Sequence, residues 1–298
     1  MWCLIYLFIF IEMYIYDYIM NSDNLKLFNN NGFLIKEDLI KDKYHSELFY
    51  LFYDLAVSTI KRNKIDLGYQ LKNVDDLDYN RDIKILDKVL LDILKIDNKL
   101  IGELYDTVSY SSCFLKLVSD SDIEDYARSL LGLSKRNTIY SWTHRVRIDA
   151  PKDERRTYGW HQEIFYTIPE TRFIQTWCPL IRDTTIENGT IEVCEGSHKE
   201  GIAKQTWNEI EGRATQIIVN QEVVEKYKQK KLPMKKGDIL FFDPHMFHRS
   251  GHNSTKDEIR FSLVGMWNDT TYHKFRAPKP EFKSRTFTAD EYFKSNQQ

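Results

Sequence analysis

The hydrophobic pattern of this chain changes its period near Asn137, and that change limits the possible folds more than any other feature. From Ser22 to about Gly132 the apolar residues recur at the spacing of helices that pack through one face. After Asn137, apolar and polar residues alternate over short runs separated by polar turns. Because strands do not alternate with helices in this part, we predict an antiparallel barrel or jelly roll that carries an N-terminal helical shell.

The helical part is predicted from two apolar stripes and from residues that start or stop helices. Gly32 is expected to end a short helix, and Gly132 the last helix of the shell. A possible capping box at Ser121–Glu124 would begin that last helix. The stripes that should face the core are Leu48, Leu51, Phe52 and Leu55, and then Ile83, Leu86, Leu90 and Ile93.

Strands are predicted wherever short apolar runs lie between turns. A Lys- and Glu-rich insertion from Gly201 to Lys231 interrupts them and should contain a helix at Gln221–Lys230. The predicted strands are Ile139–Asp149, Trp160–Tyr166, Arg172–Leu180, Thr190–Cys194, Asp238–Phe242 and Glu258–Trp267. Strict alternation in the first of these would place Tyr140, Trp142, His144, Val146 and Ile148 on one face, and Ser141, Thr143, Arg145, Arg147 and Asp149 on the other.

The composition is that of a globular protein and excludes several functions. Hydrophobic residues make up 42% of the 298 residues, and the formal net charge of −2 gives no support for a nucleic-acid or polybasic membrane partner. The four cysteines are scattered without a C-x-x-C pair, so we expect a reduced, cytoplasmic protein. We expect a small-molecule partner and make no prediction of the oligomeric state.

The first twenty residues are apolar and aromatic, but Glu12 and Asp17 interrupt them. The uninterrupted apolar run ends at Ile11, short of the roughly 20 residues that span a bilayer, so we expect a translation start at Met20 or a buried helix, and no membrane anchor. We therefore divide the chain into an apolar extension, 1–20, and one domain, 21–298. That domain comprises a helical shell at 21–136, a jelly-roll core at 137–268 and a C-terminal tail at 269–298.

Two distant segments carry the residues of a possible metal site. In an extended strand, His161 and Glu163 would point to the same side. A third ligand would come from His248, although His245 and His252 lie close to it in the sequence. Two imidazoles and one carboxylate are the ligand set of a non-haem Fe(II) site with open coordination positions for other ligands.

A possible anion site follows the second metal segment. Arg260 and Ser262 would project from the same side of a strand, twelve residues and more after His248. A guanidinium can form two parallel hydrogen bonds to a carboxylate, and a hydroxyl can add a third. This pair would suit the distal carboxylate of 2-oxoglutarate.

Several ordered motifs resemble those of the phytanoyl-CoA dioxygenase family over about Leu25 to Trp267. They are Trp160-His161-Gln162-Glu163, Glu187-Asn188-Gly189-Thr190, Glu195-Gly196-Ser197-His198-Lys199, Lys236-Gly237-Asp238-Ile239-Leu240-Phe241-Phe242 and His248-Arg249-Ser250-Gly251-His252-Asn253-Ser254. The resemblance implies a double-stranded β-helix (a cupin-like jelly roll), and a dioxygenase that uses Fe(II), O₂ and 2-oxoglutarate as co-substrate.

The same resemblance implies which residues do the chemistry. It implies His161, Glu163 and His248 as iron ligands and Arg260 as the 2-oxoglutarate anchor. It adds Ser250 as a co-substrate contact and Trp177 as the aromatic residue that flanks the site. The family usually has aspartate where this chain has Glu163. Halogenating relatives lack a carboxylate there, so Glu163 indicates hydroxylation or another oxidation.

The substrate is expected to be a small organic molecule. Arg145 and Arg147 share one face of their strand and would favour an anionic or polar substrate, unless that face is solvated. Gln175, on the same strand face as Trp177, is another possible polar group of the pocket. The alternative functions are a metal- or sugar-binding cupin-like protein without catalysis, and a zinc hydrolase, although H-E-x-x-H is absent.

Overall fold

The computed structural model describes residues 23–153, 157–166, 168, 171–209 and 216–278. The apolar segment 1–20 and the end of the predicted C-terminal tail lie outside these ranges. No helix within the described ranges is both long enough and apolar enough to cross a membrane. The division of the chain into segments stays a prediction.

The N-terminal part forms the predicted helical shell, with one short strand inserted near its start. The first helix, α1, covers residues 23–31 and ends at Gly32, whose φ of +81° confirms the predicted stop. The strand β1 then runs from Phe33 to Lys36. The other shell helices are α2 (Asp42–Arg62), α3 (Tyr79–Ile96), α4 (Asn98–Ser109), α5 (Ser112–Val118) and α6 (Ser121–Leu130).

The last shell helix begins one residue earlier than the predicted capping box. The side chain of Asp120, not Ser121, caps α6 by accepting a hydrogen bond from the backbone N–H of Asp122 at 3.0 Å. Asp120 also accepts hydrogen bonds from Tyr44 on α2 and from Lys41, which precedes that helix, so tertiary contacts favour it as the cap. Gly132, with a φ of +67°, ends the helix as predicted.

The remaining strands form two larger antiparallel sheets and one hairpin, which confirms the predicted jelly-roll architecture. The five-stranded sheet has the order β1-β8-β3-β10-β2, the three-stranded sheet the order β7-β4-β9, and β5 pairs with β6. The strands are β2 (Ile139–Asp149), β3 (Phe173–Leu180), β4 (Ile191–Cys194), β5 (Gln205–Asn208), β6 (Gln216–Val219), β7 (Gln229–Lys231), β8 (Ile239–Phe242), β9 (His248–Ser250) and β10 (Arg260–Asp269).

The two faces of the five-stranded sheet have different partners. On the outer face, residues such as Ile148, Phe241 and Phe261 join the core that the shell helices form. On the inner face, Trp177 and Phe242 pack with residues of the three-stranded sheet. The candidate site lies on this inner side, so the helices support the strands that carry it without entering it.

The predicted strand at Trp160–Tyr166 is wrong. Only His161 forms a β-bridge, to His248, and a 3-10 turn begins at Glu163. The backbone N–H groups of Glu163 and Ile164 both point to the carbonyl of Pro244, at 3.0 and 3.3 Å. This shared acceptor turns the chain out of the extended conformation directly after Gln162.

The strict alternation predicted for β2 is also wrong, because a bulge interrupts the strand. The register with β10 shifts between Val264 and Met266, and Thr143 has a φ of +51°. As a result Trp142 lies opposite Met266, on the side that Arg145 shares with Val264. Beyond the bulge, Arg145, Arg147 and Asp149 therefore occupy the inner face together with Trp142 and Tyr140.

The helix predicted at Gln221–Lys230 is shorter in the structure. The helix α7 covers only Gln221–Val224 and is followed by β7, which pairs with β4. The β5–β6 hairpin precedes it and attaches to the metal segment, because Val219 donates a backbone hydrogen bond of 2.8 Å to the Trp160 carbonyl. The short strands β1, β5, β6, β7 and β9 were not predicted from the sequence.

Candidate metal centre

His161, Glu163 and His248 come together as the sequence predicts. Their ligand atoms all lie within 4.8 Å of one another, and no other such group of acidic, histidine or cysteine side chains occurs in the described ranges. A carboxylate oxygen of Glu163 lies 3.8 Å from Nε2 of His161 and 3.4 Å from Nε2 of His248. The three side chains therefore surround one point from which a metal ion could contact each of them.

Backbone hydrogen bonds hold the two metal segments in register. His161 and His248 exchange both backbone hydrogen bonds, at 3.0 and 3.1 Å. Between the first two ligands, the Gln162 side chain points away and is fully buried. Its amide nitrogen donates to the carbonyls of Gly201 and His245, at 2.7 and 2.6 Å, and its oxygen accepts from Ala203 at 3.0 Å. Gln162 thus joins three loops behind the site, a role that the sequence analysis missed.

The imidazole rings are oriented with their Nε2 atoms toward the carboxylate. Nδ1 of His161 lies 2.7 Å from the Gly159 carbonyl, and Nδ1 of His248 lies 3.1 Å from the Met246 carbonyl. Since a carbonyl can only accept, each Nδ1 carries a proton, and Nε2 is the nitrogen that each ring can offer to a metal. Burial, followed by the charge of His248, lowers the pKa of His161 to about 3, which keeps the ring neutral.

Glu163 is held in its ionised form. Burial acts to raise the pKa of its carboxyl, but the hydrogen bond and the charge of His248 outweigh burial and lower it below its ordinary value. Two imidazoles that each offer Nε2, once any proton on that nitrogen is released, form with the carboxylate a donor set that fits a divalent transition metal such as Fe(II).

The other histidines considered from the sequence make different contacts. Nδ1 of His245 lies 3.0 Å from the Asp243 carboxylate. Nε2 of His198 donates toward the Asn29 carbonyl at 3.0 Å, which joins its turn to α1. His252 is exposed. The choice of His248 over its neighbours is therefore made by the pairing of β9 with His161.

Arg260 lies on the inner face at the start of β10 and is buried, with 3% of its surface exposed. Its Nε and Nη2 donate to one oxygen of Asp149, at 3.2 and 2.7 Å, and its Nη1 donates to the Gly251 carbonyl at 3.1 Å. Ser262 follows on the same face. Its hydroxyl is fully buried and has no hydrogen-bond partner within the described ranges.

The remaining predicted residues lie on the strands β2, β3 and β9. Trp177 is buried in the apolar cluster between the sheets, and Gln175, two positions earlier, has a buried side-chain oxygen without a partner among the described residues. Ser250 is half-buried at the end of β9. Arg145 is exposed, and its charge contributes to the low pKa of Glu163.

Two tyrosines that the sequence analysis missed flank the first metal ligand. The ring centroids of Tyr158 and Tyr166 lie 5.4 and 5.8 Å from that of His161, and the two tyrosine rings meet edge to face. The Tyr166 hydroxyl accepts a hydrogen bond of 2.8 Å from the backbone of Ile217 in the β5–β6 hairpin. No sequence signal links these tyrosines to the site, because their loop is irregular.

Comparison with solved structures identifies proteins of the same fold. The epimerase SnoN, in complex with Fe3+, alpha ketoglutarate and nogalamycin RO, has a TM-score of 0.56 at 14% identity and covers 88% of this chain and 94% of SnoN. EctD from S. alaskensis with bound Fe has a TM-score of 0.55 at 17% identity and covers 87% and 79% of the two chains.

Curated relatives are similar over parts of the chain. The 1-deoxypentalenic acid 11-beta-hydroxylase of Streptomyces arenae is 32% identical over 126 residues, which are 40% of this chain and 44% of that protein. The peroxisomal phytanoyl-CoA dioxygenase of Homo sapiens is 27% identical over 119 residues, 38% of this chain and 35% of that protein. The chain thus aligns with less than half of either relative.

A sequence profile described as Phytanoyl-CoA dioxygenase (PhyH) matches residues 97–262, more than half of the chain. The match includes the three clustered side chains and extends to Ser262. The chain therefore belongs to the phytanoyl-CoA dioxygenase family.

Proposed function

We propose that this protein is an Fe(II)- and 2-oxoglutarate-dependent dioxygenase that hydroxylates a small organic substrate and releases succinate and CO₂. The observation that carries the proposal is the convergence of His161, Glu163 and His248 on one point. The His248 ring packs on Phe242, whose strand belongs to the same five-stranded sheet that carries Arg260 on its inner face. A metal-binding jelly roll without catalysis has no need for a buried arginine beside an unpaired hydroxyl.

His161, Glu163 and His248 would hold the iron. The Nδ1 hydrogen bonds orient the two rings so that their Nε2 atoms, with the Glu163 carboxylate, would supply three ligand atoms to the metal. Iron bound there would supply the activation of dioxygen that oxidative decarboxylation of the co-substrate requires. A carboxylate at Glu163 occupies the position that halogenating relatives leave for halide, which supports hydroxylation or another oxidation.

Arg260 and Ser262 would bind the distal carboxylate of 2-oxoglutarate. A guanidinium has five N–H donors, and three of those on Arg260 have acceptors, so two are available for a ligand. The buried Ser262 hydroxyl supplies a third donor, and an unpaired buried hydroxyl is costly unless a ligand completes it. Ser250 and Trp177 would border the same pocket.

The names of relatives support the same chemistry. One relative is named a hydroxylase and another a dioxygenase, and the solved structures of SnoN and EctD are described with iron and with alpha ketoglutarate or 2-oxoglutarate. These descriptions apply to those proteins, and the donor set of this chain is what allows the extension to it.

The substrate would be polar or anionic. The exposed Arg145 lies close enough to Glu163 to affect its carboxyl, and Gln175 offers a buried oxygen on the inner face. Both could orient a substrate through hydrogen bonds. The three described cysteines are free, which supports a reducing compartment such as the cytoplasm, where iron stays ferrous.

The test is formation of succinate from 2-oxoglutarate by the purified protein with added Fe(II), in air and without oxygen. Slow turnover in air without a substrate, and none anaerobically, is the expected result. His248→Ala should abolish Fe(II) binding and turnover because the site loses a ligand. His245→Ala is the matched control, since its ring contacts Asp243 instead.

Two outcomes would contradict the proposal. One is the absence of oxygen-dependent succinate formation with a broad panel of small polar substrates, although Fe(II) binds. The other is equal Fe(II) affinity in the His248→Ala protein and the wild type. Either result would favour a binding protein of the same fold.

A further inference from the structure

A row of charged and aromatic side chains crosses the three-stranded sheet behind the metal ligands. Antiparallel pairing places Glu192 on β4 opposite Arg249 on β9. Because His161 bridges His248 in antiparallel fashion, Trp160 lies beside Arg249 and extends the row. Successive residues of a strand point to opposite faces, so this row faces away from the two histidine ligands.

Arg249 contacts both of its neighbours in this row. Its Nε and Nη2 donate to one oxygen of Glu192, at 2.9 and 2.7 Å, and its guanidinium carbon lies 4.6 Å from the centroid of the Trp160 ring. Glu192 and Trp160 are buried, and Arg249 is half-buried. A guanidinium is attracted to the face of an indole, and more strongly where water is partly excluded. The carboxylate therefore holds the guanidinium against the indole.

The segment that carries His161 has little backbone pairing of its own. Within residues 160–166, His161 forms the single bridge to β9, by the two hydrogen bonds that it exchanges with His248, and the chain turns away at Glu163. The centroids of the two imidazole rings lie 4.1 Å apart. Keeping these rings and the carboxylate together and out of water costs free energy before a metal binds. Contacts behind the ligands must offset this cost if the site is to form first.

We propose that Arg249 is a positioning residue for the metal centre. Held by Glu192, its guanidinium fastens Trp160, and with it the first metal segment, to β9. Since Trp160 directly precedes one histidine ligand and Arg249 directly follows the other, this contact holds the two imidazoles together without touching the metal. The inference rests on the proposed function, because it assumes that His161 and His248 hold Fe(II).

The test removes the contact and keeps the net charge. Arg249→Ala leaves no atom that reaches the indole, and Glu192→Gln in the same protein removes the buried carboxylate that would otherwise lose its closest partner. Lys231, the other neighbour of Glu192, is exposed and stays solvated. The first measurement is hydrogen exchange, in the metal-free protein, of the backbone N–H groups of His161 and His248. The second is calorimetric titration with Fe(II) without oxygen.

We expect exchange at both N–H groups to quicken roughly three- to tenfold in the double variant, the factor that corresponds to the loss of one partly desolvated cation–π contact. Fe(II) should bind more weakly by up to the same factor, because the metal binds the fraction of molecules whose ligands are in place. Arg249→Lys keeps a cation near the ring and should show a smaller change. A general loss of stability would lower the urea midpoint but leave Fe(II) affinity unchanged, because native molecules would still predominate.

A matched control lies in the helical shell. Nζ of Lys88 lies 3.1 Å from the centroid of the Tyr69 ring and 3.0 Å from the Asp92 carboxylate. Lys88→Ala/Asp92→Asn loses the same pair of charges and should keep wild-type values in both measurements.

Two kinds of result separate this inference from the proposed function. Unchanged exchange or unchanged Fe(II) affinity in the Arg249→Ala/Glu192→Gln protein would overturn the inference, and so would equal changes in the control. Failure of the wild type to bind Fe(II) would instead overturn the proposed function.

Discussion

Replacing Gly189 by alanine should damage the fold and the proposed co-substrate anchor, Arg260, together. Gly189 has a φ of +89°, and an added β-carbon would lie 2.6 Å from the Gly251 carbonyl oxygen and 2.9 Å from Nη1 of Arg260. That carbonyl accepts a hydrogen bond from the same Nη1 at 3.1 Å. The methyl group would therefore push apart the two groups whose contact orients Arg260.

The expected loss has two parts. An alanine at positive φ costs about 1–2 kcal/mol, and forcing a methyl group against the backbone adds roughly 1–3 kcal/mol. Their sum is about 2–5 kcal/mol, which is a large share of the roughly 5–15 kcal/mol that stabilises a typical domain. The entropy that alanine removes from the unfolded chain offsets part of this loss.

Gly132→Ala is the matched control. Gly132 has a φ of +67°, and no atom lies within 4 Å of the position that its β-carbon would take. The Gly132→Ala protein should lose only the cost of placing alanine at a positive φ, about 1–2 kcal/mol of unfolding free energy. The same unfolded-state entropy applies at both positions, so the difference between the variants isolates the collision at Gly189.

Urea unfolding would measure the difference in stability, provided that both variants share the same dependence of unfolding free energy on urea concentration. Anaerobic titration with 2-oxoglutarate would measure the anchor, and we expect weaker binding for Gly189→Ala only. Equal losses of stability in the two variants, with unchanged 2-oxoglutarate affinity, would refute the reasoning, because the close approach of Gly189 to Gly251 and Arg260 would then have no energetic consequence.

Three further predictions concern other sites. Burial, followed by the charge of Lys236, lowers the pKa of His45 from 6.5 to about 4. The free energy of unfolding should therefore fall as the pH drops from 6.5 to 4, by up to about 3 kcal/mol. In urea titrations at several pH values, His45→Phe should flatten this pH dependence. Asp120→Ala removes the cap of α6 and the acceptor of the 2.9 Å hydrogen bond from Tyr44. It should lower the free energy of unfolding by about 2–3 kcal/mol. An unchanged midpoint of urea unfolding would contradict this prediction. Ser262→Ala removes a buried hydroxyl without a partner in the described ranges, so it should slightly raise the stability of the protein without 2-oxoglutarate. The same change should weaken 2-oxoglutarate binding about fivefold in calorimetry, and unaltered affinity would exclude Ser262 as a donor.

The sequence alone determined the change from helices to strands, the types of the metal ligands and the pair Arg260 and Ser262. Each of these depends on residue spacing or on the chemistry of a side chain, both of which are local properties. His161 and Glu163 do approach one point, but the predicted reason was wrong. A 3-10 turn at Glu163, anchored on the Pro244 carbonyl, brings its carboxylate to the histidines.

Only the tertiary structure decided which face of β2 meets the site and what holds Arg260. The bulge at Thr143 shifts the register, and the contact between Asp149 and Arg260 joins residues 111 positions apart in the chain. Neither can be predicted from a local pattern, because strand register depends on the packing of two faces at once. The same packing selects His248 over His245, since only the former pairs with His161.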